Sequence, residues 1–139
     1  MKEADRELRT LVNRWIAKAE TDYMTARQLA EDAGPFLEPI AFHCQQAAEK
    51  YLKAFLVSRE ADFPKTHDIR QLLYLVEPLA PSLASDLRDL DTLTPFGVET
   101  RYPDDLPSLL PGQERDLLAL AARARDVVRA ELGGFLSGT

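Results

Sequence analysis

Cysteine, histidine and long hydrophobic runs are scarce in this chain. Its 139 residues include one cysteine, Cys44, and two histidines, His43 and His67. One cysteine excludes an internal disulfide bond and a cysteine-rich metal site, and two histidines without a third clustered ligand predict no metal. No apolar run approaches the roughly 20 residues that a membrane span needs, and residues 1–6 (MKEADR) lack the apolar core of a signal peptide. We therefore expect a cytoplasmic protein that does not contact membranes.

The sequence also has no phosphate-binding loop and no nucleophile motif. Its six glycines are isolated or lie at predicted helix ends, and no serine stands between flanking glycines. The net charge of −6 opposes generic binding along a nucleic-acid backbone, which relies on clustered lysine and arginine. The length and the hydrophobic share of 45% are typical of one soluble globular domain spanning residues 1–139.

Hydrophobic residues recur at three- and four-residue steps over most of the chain, which predicts helices. The first helix should run from about residue 5 to 33 and stop at Gly34–Pro35. The second should run to about residue 59. A short third helix should follow, where Asp68 and Gln71 fit a capping box and Thr66 is a competing cap.

Proline then sets the remaining boundaries. Pro81 suits the first turn of a fourth helix that carries leucines on one face as far as Pro95. Residues 95–113 form a long proline-rich loop, and a final helix covers about residues 114–132. We predict an all-α fold: an antiparallel up-and-down four-helix bundle with a short extra helix and a core over about residues 15–128.

The second helix is predicted to have two distinct faces. Small and aromatic residues form an apolar stripe, which places Cys44 in the core. A separate polar stripe carries His43, Gln46, Lys50 and Lys53. On the first helix, Asp22 falls on the apolar side, where a carboxylate must be paired, hydrogen-bonded or at the edge of a cleft.

Three ordered blocks resemble the HEPN domain, the "higher eukaryotes and prokaryotes nucleotide-binding" family. They are residues 45–56 (QQAAEKYLKAFL), 63–69 (FPKTHDI) and 101–104 (RYPD). The resemblance implies an up-and-down helical bundle that is commonly dimeric and is proposed to bind nucleotides. Small members are often paired with a separate minimal nucleotidyltransferase.

Some HEPN proteins are metal-independent RNase toxins that use an arginine and a histidine separated by four to six residues. This chain departs from that pattern, because Arg27 and Arg59 lie outside the spacing and no histidine follows Arg101. We therefore predict no catalytic residues of the family type and place RNase activity below binding.

The resemblance and the residue pattern together suggest a ligand cleft. Lys50, Lys53 and Arg101 form a candidate anion-binding set, and His67 and Tyr102 are further candidate ligand contacts. Two alternatives stay open. His67 also suits the capping turn of the third helix, and Arg101 with Tyr102 could simply attach the loop to the bundle. The edge of the cleft is assigned to Asp22, His43 and Gln46. The ligand would be a nucleotide such as ATP, with no bound cofactor.

Three functions follow as hypotheses. The first is a non-catalytic, nucleotide-binding homodimer that serves as accessory partner of a minimal nucleotidyltransferase in a toxin–antitoxin-like pair. The second is an RNase toxin with a non-standard site such as His67 with Arg101. The third is a protein-interaction module that binds no small ligand.

Overall fold

A computed structural model describes residues 2–32, 36–97 and 108–136. Every regular element in these ranges is helical, which confirms the all-α prediction. The α-helices are α1 (Glu3–Glu31), α2 (Leu37–Ser58), α3 (Ile69–Val76), α4 (Pro81–Asp86) and α5 (Gln113–Glu131); 3-10 helices cover Arg88–Phe96 and Gly133–Phe135. None of these helices is long and apolar enough to cross a membrane. The predicted stop at Gly34–Pro35 lies outside the described residues.

Helices α1 and α2 pack antiparallel. Glu20 on α1 accepts a hydrogen bond from Tyr51 on α2. Asp22, two residues later on α1, accepts one from His43, which lies eight residues earlier than Tyr51 on α2. Residue numbers therefore rise along one helix as they fall along the other. The small residues of α2, including Ala47 and Ala48, are fully buried, as the apolar stripe predicts.

Helix α5 is also antiparallel to α1 and therefore runs in the direction of α2. Arg129 on α5 donates to Glu20, and the carbonyl of Phe135, just beyond α5, accepts from Asn13.

Helix α3 runs in the direction of α2, because His67 before α3 contacts Gln45 and Leu79 after α3 contacts Arg59 at the end of α2. The chain then returns through α4 and the 3-10 helix to Gly97, which again lies against Gln45. This return completes the up-and-down order predicted from sequence.

The predicted fourth helix is wrong in its geometry. Only Pro81–Asp86 is α-helical; residues Arg88–Phe96 form a 3-10 helix that contains Pro95 instead of ending before it. The reason lies in the spacing of the apolar residues. Leu87, Leu90, Leu93 and Phe96 recur at intervals of three, which places all of them on one face of a helix with three residues per turn.

Helix α2 is buried on most of its circumference, so the predicted two-faced pattern is only partly correct. Cys44 is fully buried, as expected, and burial raises the pKa of its thiol to about 12. The polar stripe, however, does not follow one exposed edge. Lys53 is only 6% exposed, and Gln45 and Glu49, both outside the predicted stripe, are buried as well.

Candidate functional site

The buried carboxylate of Glu49 is the centre of a hydrogen-bonded cluster on α2. One of its oxygens, Oε1, accepts from His67 Nδ1 at 2.8 Å and from Gln45 Nε2 at 3.1 Å. The other, Oε2, accepts from Lys53 Nζ at 2.9 Å. Glu49 and Lys53 lie one turn apart on the helix and face the core, where a carboxylate without partners would be very costly. The three donors compensate for its lost hydration.

The cluster is covered by the connection between α2 and α3, which runs antiparallel to α2. The ammonium of Lys53 lies 5.7 Å from the ring centroid of Phe63 in this connection and 5.6 Å from that of Trp15 on α1. Four residues after Phe63, His67 reaches Glu49. Lys53 is thus enclosed by a carboxylate and two aromatic faces, an environment suited to a cation and closed to a ligand.

The side chain of Gln45 ties this cluster to the end of the 3-10 helix. Its Nε2 also donates to the carbonyl of His67 at 2.9 Å, and its Oε1 accepts from Gln46. Gly97 packs against the same amide so closely that a Cβ at position 97 would lie 2.8 Å from Nε2 of Gln45. Gly97, the last residue described before position 108, therefore lies directly against the site.

Asp22 forms a second cluster of the same type between α1 and α2. Its Oδ1 accepts from His43 Nδ1 at 2.9 Å, and its Oδ2 accepts from Lys50 Nζ at 2.5 Å. Asp22 is 8% exposed, and the pairing agrees with the expectation that a carboxylate at this position needs partners. Each cluster thus joins one carboxylate, one lysine and one histidine.

Both imidazole rings reach the surface. The side chain of His67 is 60% exposed, whereas that of His43 is 28% exposed. In the part of the chain that the structure describes, neither Nε2 atom has a hydrogen-bond partner. Because an ionised carboxylate can only accept, the proton shared with it must lie on Nδ1 of each ring.

A third network, around the partly buried Glu20, holds α1, α2 and α5 together. The carboxylate accepts from Tyr51, Arg125 and Arg129. Burial, followed by the hydrogen bond and the charge of Glu20, raises the pKa of Tyr51 well above its usual range. Burial opposes the charged form of Arg125, but the hydrogen bond and charge of Glu20 outweigh it and raise that pKa. These groups are committed to one another, and we assign them a structural role.

The structure brings most of the predicted site residues together, but with different accessibility. His43, Gln46 and Lys50 are half-buried at the α1–α2 edge, and His67 is exposed, whereas Lys53 is enclosed. Arg101 and Tyr102 lie outside the described residues. Asp68 caps α3 by accepting from the backbone N–H of Arg70, a simpler cap than the predicted box with Gln71.

Sequence reasoning missed Glu49 and Gln45 as members of the site. The available signal was their four-residue spacing with Lys53, which places all three on one row of the helix. The charges of the two clusters balance, because Lys50 and Lys53 each face one carboxylate. Within the described ranges, no group of three or more histidine, cysteine, aspartate or glutamate side chains could hold a metal ion.

Comparison with known proteins agrees with this helical architecture. The family model described as "HEPN domain" matches residues 12–133. Because that match covers most of the 139 residues, the chain belongs to the HEPN domain family. No curated protein and no solved structure matches.

Proposed function

We propose that this HEPN protein is a non-catalytic, nucleotide-binding module that serves as accessory partner of a minimal nucleotidyltransferase. The observation that carries the proposal is the pair of surface imidazoles, each held by a buried carboxylate. Buried ion pairs seldom add stability over apolar residues of the same size. A polar network that ends in exposed, oriented ring nitrogens is therefore better explained by ligand recognition than by folding.

The proposed ligand is a nucleotide such as ATP. His43 and Lys50 lie about two turns apart on α2 and are half-buried, Gln46 lies between these two, and His67 is exposed in the connection after α2. These side chains offer both hydrogen-bond donors and acceptors, which suits a ligand that carries hydroxyl, amino and phosphate groups. Arg101 and Tyr102 stay in the proposal as the predicted contacts from the segment after Gly97. Lys53 is assigned instead to positioning Glu49.

A titration calorimetry experiment with ATP, with and without Mg²⁺, tests this proposal. Replacement of His67 by alanine should weaken binding about two- to tenfold, the amount expected for one lost hydrogen bond. Lys65→Ala, an exposed change in the same connection, should leave the affinity unchanged. Arg101→Ala tests the predicted phosphate contact separately. No saturable heat up to millimolar ATP with the folded wild type would overturn nucleotide binding.

The partnership needs its own experiment, because it concerns a second protein. We expect a co-expressed minimal nucleotidyltransferase encoded beside this chain to co-purify with it, and the pair to behave as a cytoplasmic, toxin–antitoxin-like unit built on a homodimer. Light scattering of the purified protein reports the oligomeric state. Specific capture of an unrelated protein by a chain without nucleotide affinity would favour the alternative of a plain interaction module.

The RNase alternative is favoured by one feature, the exposed imidazole of His67 on a buried carboxylate, an arrangement used for acid–base catalysis. It lacks the family pair of arginine and histidine at the required spacing. This alternative predicts growth arrest on expression that His67→Ala relieves, together with RNA cleavage by the purified wild type. Harmless expression and intact RNA would exclude it.

A further inference from the structure

We propose that Glu49 and Asp22 are positioning residues that fix the tautomers of His67 and His43, so that each ring presents Nε2 as a hydrogen-bond acceptor. The partner group would then be a donor on the nucleoside part of the ligand, a ribose hydroxyl or an exocyclic amine, instead of a phosphate oxygen. The ligand part of this inference rests on the proposed function. The tautomer part does not.

The Glu49 carboxylate is well suited to hold an imidazole in one orientation. It is 3% exposed and receives three side-chain donors, so rotation of the carboxylate would break several hydrogen bonds at once. Gln45 fixes it further by bonding the carbonyl of His67 with the same amide that bonds Glu49. Gln45 and Glu49 therefore hold the backbone and the Nδ1 atom of His67, and the Nε2 atom is left on the exposed side of the ring.

Asp22 repeats this arrangement with different elements. Its two oxygens are divided between His43 and Lys50, as those of Glu49 are divided between His67 and Lys53. The ring of His43 is also contacted edge-on by that of Phe42, with centroids 5.3 Å apart. Asp22 and Glu49 thus hold the two imidazoles through the same set of contacts, each carboxylate being shared between one lysine and one histidine.

The charge balance decides the class of ligand group. Each lysine in the two clusters already faces a carboxylate, so the four charged groups add to zero and offer no excess positive charge. A phosphate oxygen can only accept, and a neutral imidazole protonated on Nδ1 offers Nε2 only as an acceptor, so the two do not match. Hydroxyl and amino groups of a nucleoside do match.

Nitrogen-15 NMR of the imidazole rings at pH 8 tests the positioning role directly. The chain has two histidines, so two ring systems are observed and each can be assigned by its own substitution. We expect both rings of the wild type to be in the Nδ1–H form. Averaged nitrogen shifts, or an Nε2–H form at either ring, would overturn the proposal even without a ligand.

Two crossed variants separate positioning from general structural support. Glu49→Gln should change the ring shifts of His67 and leave those of His43, whereas Asp22→Asn should do the reverse. Glu38→Gln, an exposed change on α2, should affect neither ring. Equal changes at both rings in either crossed variant would indicate a global effect and contradict the assignment.

The ligand class is tested by titrating adenosine, AMP and ATP into the wild type and His67→Ala. We expect the substitution to reduce all three affinities by the same factor, since the lost contact does not involve phosphate. A reduction that grows with the number of phosphates would overturn the nucleoside contact while leaving nucleotide binding intact. Absence of binding by all three ligands would overturn the proposed function and the ligand class with it, and the NMR result would still decide the positioning role.

Discussion

The buried pair of Glu49 and Lys53 allows a quantitative test of how this core tolerates charge. Lys53→Met removes the ammonium but keeps a chain of similar length against Trp15 and Phe63, where a thioether packs well. Glu49→Leu removes the carboxylate. The double variant removes both charges and leaves Gln45 bonded to the carbonyl of His67, so no buried polar atom of that amide loses its only partner.

The magnitudes follow from the burial of both partners. Removing one member of a buried ion pair typically costs about 3–5 kcal/mol, because the other charge stays buried without its counterion. Glu49 would keep His67 and Gln45 as donors, so we expect Lys53→Met to cost about 2–4 kcal/mol. Glu49→Leu should cost about 3–5 kcal/mol. The double variant should lie within about 1 kcal/mol of the wild type, which gives a coupling free energy of at least about 4 kcal/mol.

Urea unfolding of the wild type, both single variants and the double variant measures this coupling as a thermodynamic cycle. The pair of Arg59 and Glu131 is the matched control, because its side chains are 41% and 43% exposed. Its coupling should be below about 1 kcal/mol. A coupling as small as the control's at Glu49 and Lys53, or a double variant as unstable as the sum of the two singles, would refute the reasoning.

Two further predictions concern close packing and burial on α2. Gly97→Ala should lower the unfolding free energy by about 1–3 kcal/mol, because the new Cβ would meet the side chain of Gln45. The control is Gly133→Ala, whose Cβ would have nothing within 4 Å and which should be nearly neutral in thermal denaturation. Equal losses in the two variants would contradict the contact. Burial raises the pKa of the Cys44 thiol from 9.0 to about 12, so as the pH rises the thiol loses its proton in the unfolded chain before it does in the folded one. The unfolding free energy should therefore fall above about pH 9, by up to about 1.4 kcal/mol per pH unit. Urea midpoints at about pH 8.5 to 10 should show this slope in the wild type and a smaller one in Cys44→Ala; identical slopes would assign the loss to other groups.

Helix periodicity was sufficient to predict the fold because the long helices bury continuous apolar stripes. Val12, Ile16 and Ala19 on α1, and Leu117 and Val128 on α5, are all in the core. The error at α4 has a physical source. Apolar residues three apart suit the interior side of both an α-helix and a 3-10 helix over a short segment, so the pattern cannot distinguish them.

The site was harder to predict than the fold, since burial of a polar residue depends on what covers it. On the sequence, Lys50 and Lys53 are neighbours on one helical face. In the structure Lys50 reaches the α1–α2 edge, whereas Lys53 is enclosed by Trp15 and Phe63. Phe63 belongs to a connection without helical periodicity, and no pattern along α2 indicates where that connection lies.

The same connection explains how a buried row of α2 can hold an exposed imidazole in place. Gln45, Glu49 and Lys53 form one row of α2 at four-residue spacing, and Phe63 and His67, also four residues apart, cover Lys53 and Glu49 in reverse order. A solvent-exposed row would leave the carboxylate hydrated and free to rotate, whereas a row covered only by apolar residues would present no polar group to solvent. A covering segment that carries the phenyl ring of Phe63 at one end and the imidazole of His67 at the other buries the carboxylate and still places a polar group at the surface. Shifting His67 by one residue, by deletion of Lys65, should therefore separate the imidazole from Glu49 and abolish the fixed tautomer in the NMR experiment. The total helix content measured by circular dichroism should stay unchanged. Retention of the Nδ1–H form in that deletion would show that the connection does not set the geometry.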